Sequence, residues 1–354
     1  LTIRGASSAN ESRFDHIAHP YDALLVMSFG GPEGPADVMP FIENVTAGHG
    51  IPAERLAAVA EHYNHFGGVS PINAQNRALI EALRRDFIAG GVNVPIYFGN
   101  RNWHPFVADT VCEMRDAGVK RGLVFITSLF SSYSGCRQYR EDIVRACEAA
   151  GEGAPVLDRL RFAYNHPGFI AAQADRVREA LETLPARERD PVQVVFTAHS
   201  VPVTQAKHSE YVEQLEEACR LVMAELGREN HRLVYQSRSG SPRTPWLEPD
   251  ILDYLRTARA RGVERVVVVP IGFISDHMEV MYDLDTQARE LAAQIGLGFV
   301  RAKAIGTHSA FVRAIRDLLL ERSANAPRLA LGTRGPGHDI CPLDCCLKGD
   351  PARS

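Results

Sequence analysis

The sequence predicts an α/β protein made of two doubly wound halves, each with a parallel four-stranded sheet. Three observations carry that expectation. Short, continuously apolar runs alternate with longer segments whose apolar residues recur at helical spacing. The runs lack the in–out alternation of a sheet with one wet face, so they read as parallel strands covered on both sides. A polar, proline-bearing stretch, "LPARERDP" (184–191), separates two strand–helix series of similar size.

In chain order, "YDALLVMSF" (21–29) is the first buried strand, "VPIYFGN" (94–100) the second and "RGLVFITSLF" (121–130) the third. "VQVVFTAHS" (192–200), "RLVYQSR" (232–238) and "RVVVVPIGF" (265–273) repeat the type, and "FVRA" (299–302) adds an edge segment. Apolar-periodic helices fill the gaps at 73–90, 141–151, 169–184, 210–227 and 311–322. The expected organisation is a leader over 1–20, an N-terminal half over 21–187, a C-terminal half over 188–325 and a tail over 326–354.

Bulk properties narrow the function. The chain has 354 residues, 45% hydrophobic and 23% charged, with a net charge of −4. That balance argues against nucleic acid as a partner, since such proteins carry a basic excess. The longest apolar runs are far too short to span a membrane, and the first twenty residues contain no apolar signal core. A cytoplasmic location is expected. There, reducing conditions make structural disulfides a poor explanation for seven cysteines. Three of them, Cys341, Cys345 and Cys346, fall in "CPLDCC" close to the C-terminus. Exposed tail thiols are an oxidation liability, so metal or iron–sulfur ligation is the leading account.

Ligands of doubly wound sheets bind beyond the carboxyl ends of the strands. "SFGGPEGP" follows the first strand, but neither G-x-G-x-x-G nor a Walker lysine is present, so no nucleotide cofactor is expected. A tight turn and an anion cradle stay equally open there. His199 stands at the end of the fourth strand. After the sixth, Asp276, His277, Glu279, Asp283 and Asp285 fall within ten residues. Asp276 is a candidate N-cap. Glu279 and Asp283, four apart, share a helix face, and Asp276 falls on the same stripe. A solvated acidic face is one reading; a carboxylate ladder leading protons or a divalent cation into a crevice is the other. No three-ligand motif for a resident catalytic metal accompanies it.

Taken in order, "LLVMSFGGPEGPADV", "HYNHFGGVSPIN", "YFGNRNWHP", "TAHSVP", "QSRSGSPRTPWLEPD" and "PIGFISDHMEVMYDLD" resemble the ferrochelatase family. The resemblance is nearest to the actinobacterial coproporphyrin III type and runs from about residue 21 to 322, plus the cysteine tail. It implies two Rossmann-like halves with a porphyrin cleft between them, and insertion of Fe(II) into a porphyrin with release of two pyrrole protons. Carried onto this sequence, it implies His199 and Glu279 as the catalytic pair, with Asp276, Asp283 and Asp285 on a locally widened acidic helix that delivers metal and passes protons. Phe29, Tyr63, Ser70, Arg101, Trp103 and Tyr133 are the implied porphyrin-binding residues, Arg101 and Ser70 toward propionates. Phe29 departs from the tyrosine or methionine found at that place in many relatives and cannot ligate iron; Tyr63 is the substitute considered.

Several ferrochelatases hold their tail with a [2Fe–2S] cluster, which takes four thiolates. The resemblance implies Cys341, Cys345 and Cys346, with Cys136 in "SSYSGCRQYRED" as the fourth. Cys112, Cys147 and Cys219 lie in apolar-periodic helices and read as small core residues. Zinc held by the tail cysteines and a histidine such as His338 is the alternative. Other readings considered are a protoporphyrin IX enzyme, a cobalt or nickel chelatase, and a haem carrier or iron–sulfur sensor on the same fold. A monomer making transient contact with neighbouring haem-pathway enzymes is expected.

Overall fold

The computed structural model describes residues 20–48, 50–239 and 243–349. All but the last residue of the expected leader, the middle of "SRSGSPRT" and the last five residues lie outside the described residues.

Two four-stranded sheets organise the chain. The first has the order β2-β1-β3-β4, from β1 (Ala23–Ser28), β2 (Ile96–Asn100), β3 (Arg121–Ile126) and β4 (Val156–Arg159), all parallel. The second repeats the pattern as β6-β5-β7-β8, from β5 (Gln193–His199), β6 (His231–Gln236), β7 (Arg265–Val269) and β8 (Gly298–Arg301). The central strands β1, β3, β5 and β7 have fully buried interiors. Crossover helices cover both faces, as parallel pairing requires. In order they are α1 (Val38–Thr46), α2 (Ala53–His65), α3 (Ile72–Ala89), α4 (Val107–Asp116), α5 (Gln138–Ala150), α6 (Pro167–Glu182), α7 (Tyr211–Glu225), α8 (Ile251–Ala260), α9 (Arg289–Gln294) and α10 (Ser309–Ser323).

The strand absent from the sequence reading is β4. Its segment, "VLDR", is short, half polar and at a sheet edge, with Asp158 committed to Arg121 at 2.6 Å, so it carries no continuous apolar run. Its partner β3 selects it. The chain boundary at 187/188 also differs from the packing boundary. Helix α6 precedes it in sequence yet packs on α7 and α10, while α10, the last helix, returns to α3 of the first half. The core is accordingly shared: Phe125 of β3, Phe169 of α6 and Phe311 of α10 meet with ring centroids 6.2–6.3 Å apart. Gly168 permits this junction, because a Cβ there would stand 2.4 Å from the Ala310 carbonyl oxygen. No helix among the described residues is long and apolar enough to cross a membrane.

Candidate active site and cysteine centre

The carboxyl ends of both sheets open into one crevice. Phe29, Tyr63, Ser70 and Arg101 of the first half and His199 and Glu279 of the second line its cavity of about 280 Å³. Ligand sites usually span about 300–1,000 Å³, so a flat macrocycle must spread the halves or leave its edge in solvent. Trp103 and Tyr133 do not line this cavity. Trp103 packs edge-on to Phe41 at 6.0 Å, supporting the wall from behind. Tyr133 turns its hydroxyl to Glu141 at 3.3 Å. In the GGPEG segment Gly30 has φ +85°, and a Cβ on Gly31 would meet the Ser70 side chain at 2.7 Å, so the close approach to Ser70 requires glycine there.

Strand β5 ends on His199, and its ring faces Glu279 from the segment after β7. Nε2 lies 3.6 Å from Oε2 of Glu279, with the two side chains 33% and 50% exposed. The ring's Nδ1 is hydrogen-bonded to the Ser200 carbonyl, and the Tyr211 hydroxyl donates to the His199 carbonyl at 2.8 Å. Burial works against a charged imidazole, but the Glu279 carboxylate, its hydrogen bond and the Ser200 carbonyl outweigh it and raise His199 to about 9. Glu279 is likewise opposed by burial, yet His199 brings it down to about 2. The resting pair is therefore imidazolium and carboxylate. Tyr63 is pushed upward by burial and by the Glu279 charge, so its phenol stays protonated and offers no ready tyrosinate to iron.

The acidic segment is not the single ladder expected. His277, rather than Asp276, caps the helix, its Nδ1 accepting from Val280 N at 3.3 Å. After one turn the backbone becomes a π-helix over Met281–Ala288, so the 3.6-residue stripe assumed for Asp276 and Asp283 does not apply. Arg301 of β8 holds both Asp276 and Asp285, at 2.8 and 2.7 Å. Asp283 stands apart. Gln236 donates to it at 3.3 Å and Ser237 more closely; burial and the Glu279 charge outweigh those bonds and raise it to about 6.

Sequence reasoning missed three participants and named a fourth, His277, without giving it a role. His277 Nε2 is a second imidazole at 3.9 Å from Glu279. Gln75 of α3 reaches across the crevice, accepting from Asp276 N at 2.8 Å and donating to Asp276 O at 3.3 Å. Arg301 and Tyr211 complete the set. Gln75, Arg301 and Tyr211 belong to none of the quoted motifs; only their places in space assign them. Arg101 is present as expected but is paired with Asp142 and stacked 4.5 Å from the Tyr139 ring centroid.

The four cysteines singled out lie together. Cys136 sits in a π-turn over Tyr133–Arg137, just beyond β3, and lines one cavity with Cys341 and Cys345. Cys345 Sγ lies 3.4 Å from Cys346 Sγ and within 4.8 Å of the Cys341 sulfur. Adjacent Cys345 and Cys346 both turn inward because Cys346 adopts the left-handed region, φ +56°. All seven cysteines are free of disulfides. Sulfurs crowded without bonding one another form a donor set that wants a cation, and four thiolates match [2Fe–2S] ligation. His338 is also near, its ring nitrogen within 4.8 Å of the Cys341 and Cys345 sulfurs. Arg159, at the end of β4, donates to Cys341 Sγ at 3.2 Å.

The tail does not depend on those sulfurs alone. Arg161 and Glu321 form a buried two-bond pair, 2.7 Å each, and Arg161 also donates to the Leu329 carbonyl. Asn165 holds Leu331 and Gly335, while Glu217 accepts from Thr333 N.

This fold is shared with tetrapyrrole chelatases. The sirohydrochlorin chelatase SirB from Bacillus subtilis, solved with Fe3+, superposes with a TM-score of 0.56 over 86% of this chain and 96% of its own, at 12% identity. At that identity the likeness speaks for the fold alone: a chelatase-like α/β protein. The sequence comparisons go further. The ferrochelatase family profile matches residues 21–323. A ferrochelatase from Rhodopirellula baltica is 54% identical over 333 residues, covering 93% of this chain and 94% of the relative. The coproporphyrin III ferrochelatases of Streptomyces griseus and Streptomyces coelicolor are 52% and 50% identical, each over 95% of this chain and 94% and 95% of the relatives. The chain belongs to the ferrochelatase family. It is a metal chelatase that inserts iron into a porphyrin in haem biosynthesis.

Proposed function

We propose that the porphyrin is coproporphyrin III, the product coprohaem, and the location the cytoplasm. The carrying observation is the His199–Glu279 pair, 3.6 Å apart at the crevice end of both sheets, in a chain about half identical to enzymes named for that substrate. The crevice binds the macrocycle against Phe29 and Tyr63, with Ser70 and Arg101 toward its carboxylates.

The resting imidazolium cannot take a pyrrole proton. An approaching Fe(II) dication opposes the charge on His199 and drives its proton to Glu279 and on toward Asp283, whose raised carboxyl group accepts it readily. Neutral Nε2 then takes a pyrrole proton as the metal enters, and the same route carries the second away. Two protons leave for each iron inserted. Asp276 and Asp285, committed to Arg301, anchor the π-helix rather than carry metal.

We also propose that Cys136, Cys341, Cys345 and Cys346 hold a [2Fe–2S] cluster. When bound, it supplies a one-electron centre and a covalent link between the tail and the segment after β3. Equal iron and acid-labile sulfide in anaerobically prepared protein supports this reading; zinc without sulfide supports the His338 alternative. For the substrate, the test is turnover with Fe(II) of coproporphyrin III and protoporphyrin IX side by side. A kcat/KM higher for protoporphyrin IX defeats the assignment.

A further inference from the structure

Arg159 is 8% exposed and closes β4 at the wall of the cysteine centre. Its guanidinium donates to Cys341 Sγ at 3.2 Å, to the Leu160 carbonyl at 3.0 Å and to the His338 carbonyl at 3.5 Å, and lies 4.7 Å from the Phe162 ring centroid. The acids around it are engaged elsewhere. Asp158 pairs with Arg121 and Arg322, Asp339 with Arg322 and Arg328, and Glu321 with Arg161. Among the described residues no carboxylate forms an ion pair with Arg159.

A buried charge without a counter-charge is costly, and folded proteins rarely keep one. Glu210, which lines the same cavity as Arg159, is paired with Arg334, and the group Arg159 does reach there is the Cys341 sulfur. Four neutral thiols do not answer the charge; four thiolates around two ferric ions and two sulfides carry a net negative charge and do. A cavity of about 640 Å³, which Arg159 lines together with Cys136, Cys341 and Cys345, gives the group room.

We propose that Arg159 is the built-in counter-cation of the cysteine centre and sets its reduction potential. The proposal rests on the [2Fe–2S] reading above. Reduction adds an electron to an already negative group, so a cation hydrogen-bonded to one of its sulfurs stabilises the reduced form and raises the potential. The same charge reverses its effect on stability with occupancy. In loaded protein it is compensated; in the unloaded protein it is a buried charge facing neutral thiols.

The experiment uses full-length protein in wild-type form and as Arg159→Met and Arg159→Lys, each loaded anaerobically with iron and sulfide. Midpoint potentials come from mediated titration followed in the visible band. Thermal midpoints are measured loaded and unloaded. Arg159→Met is expected to lower the potential, with Arg159→Lys between it and the wild type. The gain in Tm on loading should shrink in Arg159→Met, while its unloaded form should be as stable as the unloaded wild type or more so. Should Arg159→Met assemble no cluster while Arg159→Lys does, the requirement for charge is shown directly. An unchanged potential and an unchanged loading gain in a fully loaded Arg159→Met protein overturn the proposal and leave the cluster standing. Wild-type protein without labile sulfide overturns the cluster reading and this proposal with it.

Discussion

Glu279→Gln tests the active-site argument most directly, because it keeps shape and removes one charge. At 3.6 Å, two unit charges attract by about 4–5 kcal/mol at an effective dielectric of roughly 20. Both side chains are a third to a half exposed, so solvent removes most of that, leaving ~1–2 kcal/mol, or about one pKa unit. His199 should therefore fall from about 9 toward its ordinary value of 6.5, retaining what the Ser200 carbonyl and Asp283 contribute. The proton route loses its second station, so kcat should drop at least ~10-fold, corresponding to roughly 1.4 kcal/mol in the barrier. The assays are NMR titration of the His199 imidazole and initial rates of Fe(II) insertion from pH 6 to 10. Stability follows the same pair. The raised His199 stabilises the folded protein below about 6.5, and that contribution fades as pH rises through about 9. The lowered Glu279 stabilises above 4.5 and loses its contribution as pH falls toward about 2. Both windows should flatten in Glu279→Gln. A His199 titration unmoved by the substitution, with turnover intact, would refute the coupling.

Other expectations follow from the same geometry. Asp283→Asn should act more mildly than Glu279→Gln and lower kcat by about threefold, measured at saturating Fe(II) and porphyrin; an unchanged kcat removes Asp283 from the proton route. Serine at Cys136, Cys341, Cys345 or Cys346 should bleach the visible charge-transfer bands of anaerobic protein, whereas serine at Cys147, whose sulfur faces the Pro155 carbonyl at 3.7 Å, should not. Colour that survives Cys136→Ser and vanishes in Cys147→Ser would reassign the fourth ligand. Gly168→Ala should cost about 1–3 kcal/mol and lower Tm, because its methyl group overlaps the Ala310 carbonyl at the α6–α10 junction; calorimetry showing no loss would mean that the two helices separate freely there.

Much of this protein was legible from its sequence because the signals are local. Short β-branched apolar runs such as "VVVV" read as buried strands, and their alternation with helical segments implies parallel sheets. Strand ends then locate His199 and Glu279, and three cysteines crowded near the C-terminus point to a metal. What is local in sequence but set by neighbours in space was not legible. Strand β4 exists because β3 offers it an edge; "VLDR" alone carries no strand pattern. The acidic segment looked like one helix face, yet Arg301 from a later strand takes Asp276 and Asp285, and π-helical geometry separates their paths from that of Asp283. Composition marks Arg159 as one of many arginines; only folding buries it beside Cys341 with Asp158, Glu210, Glu321 and Asp339 paired to other arginines. A sequence sets which side chains seek burial and which seek charge, whereas the counter-charge each one finds is decided by which elements the tertiary packing brings within a few ångströms.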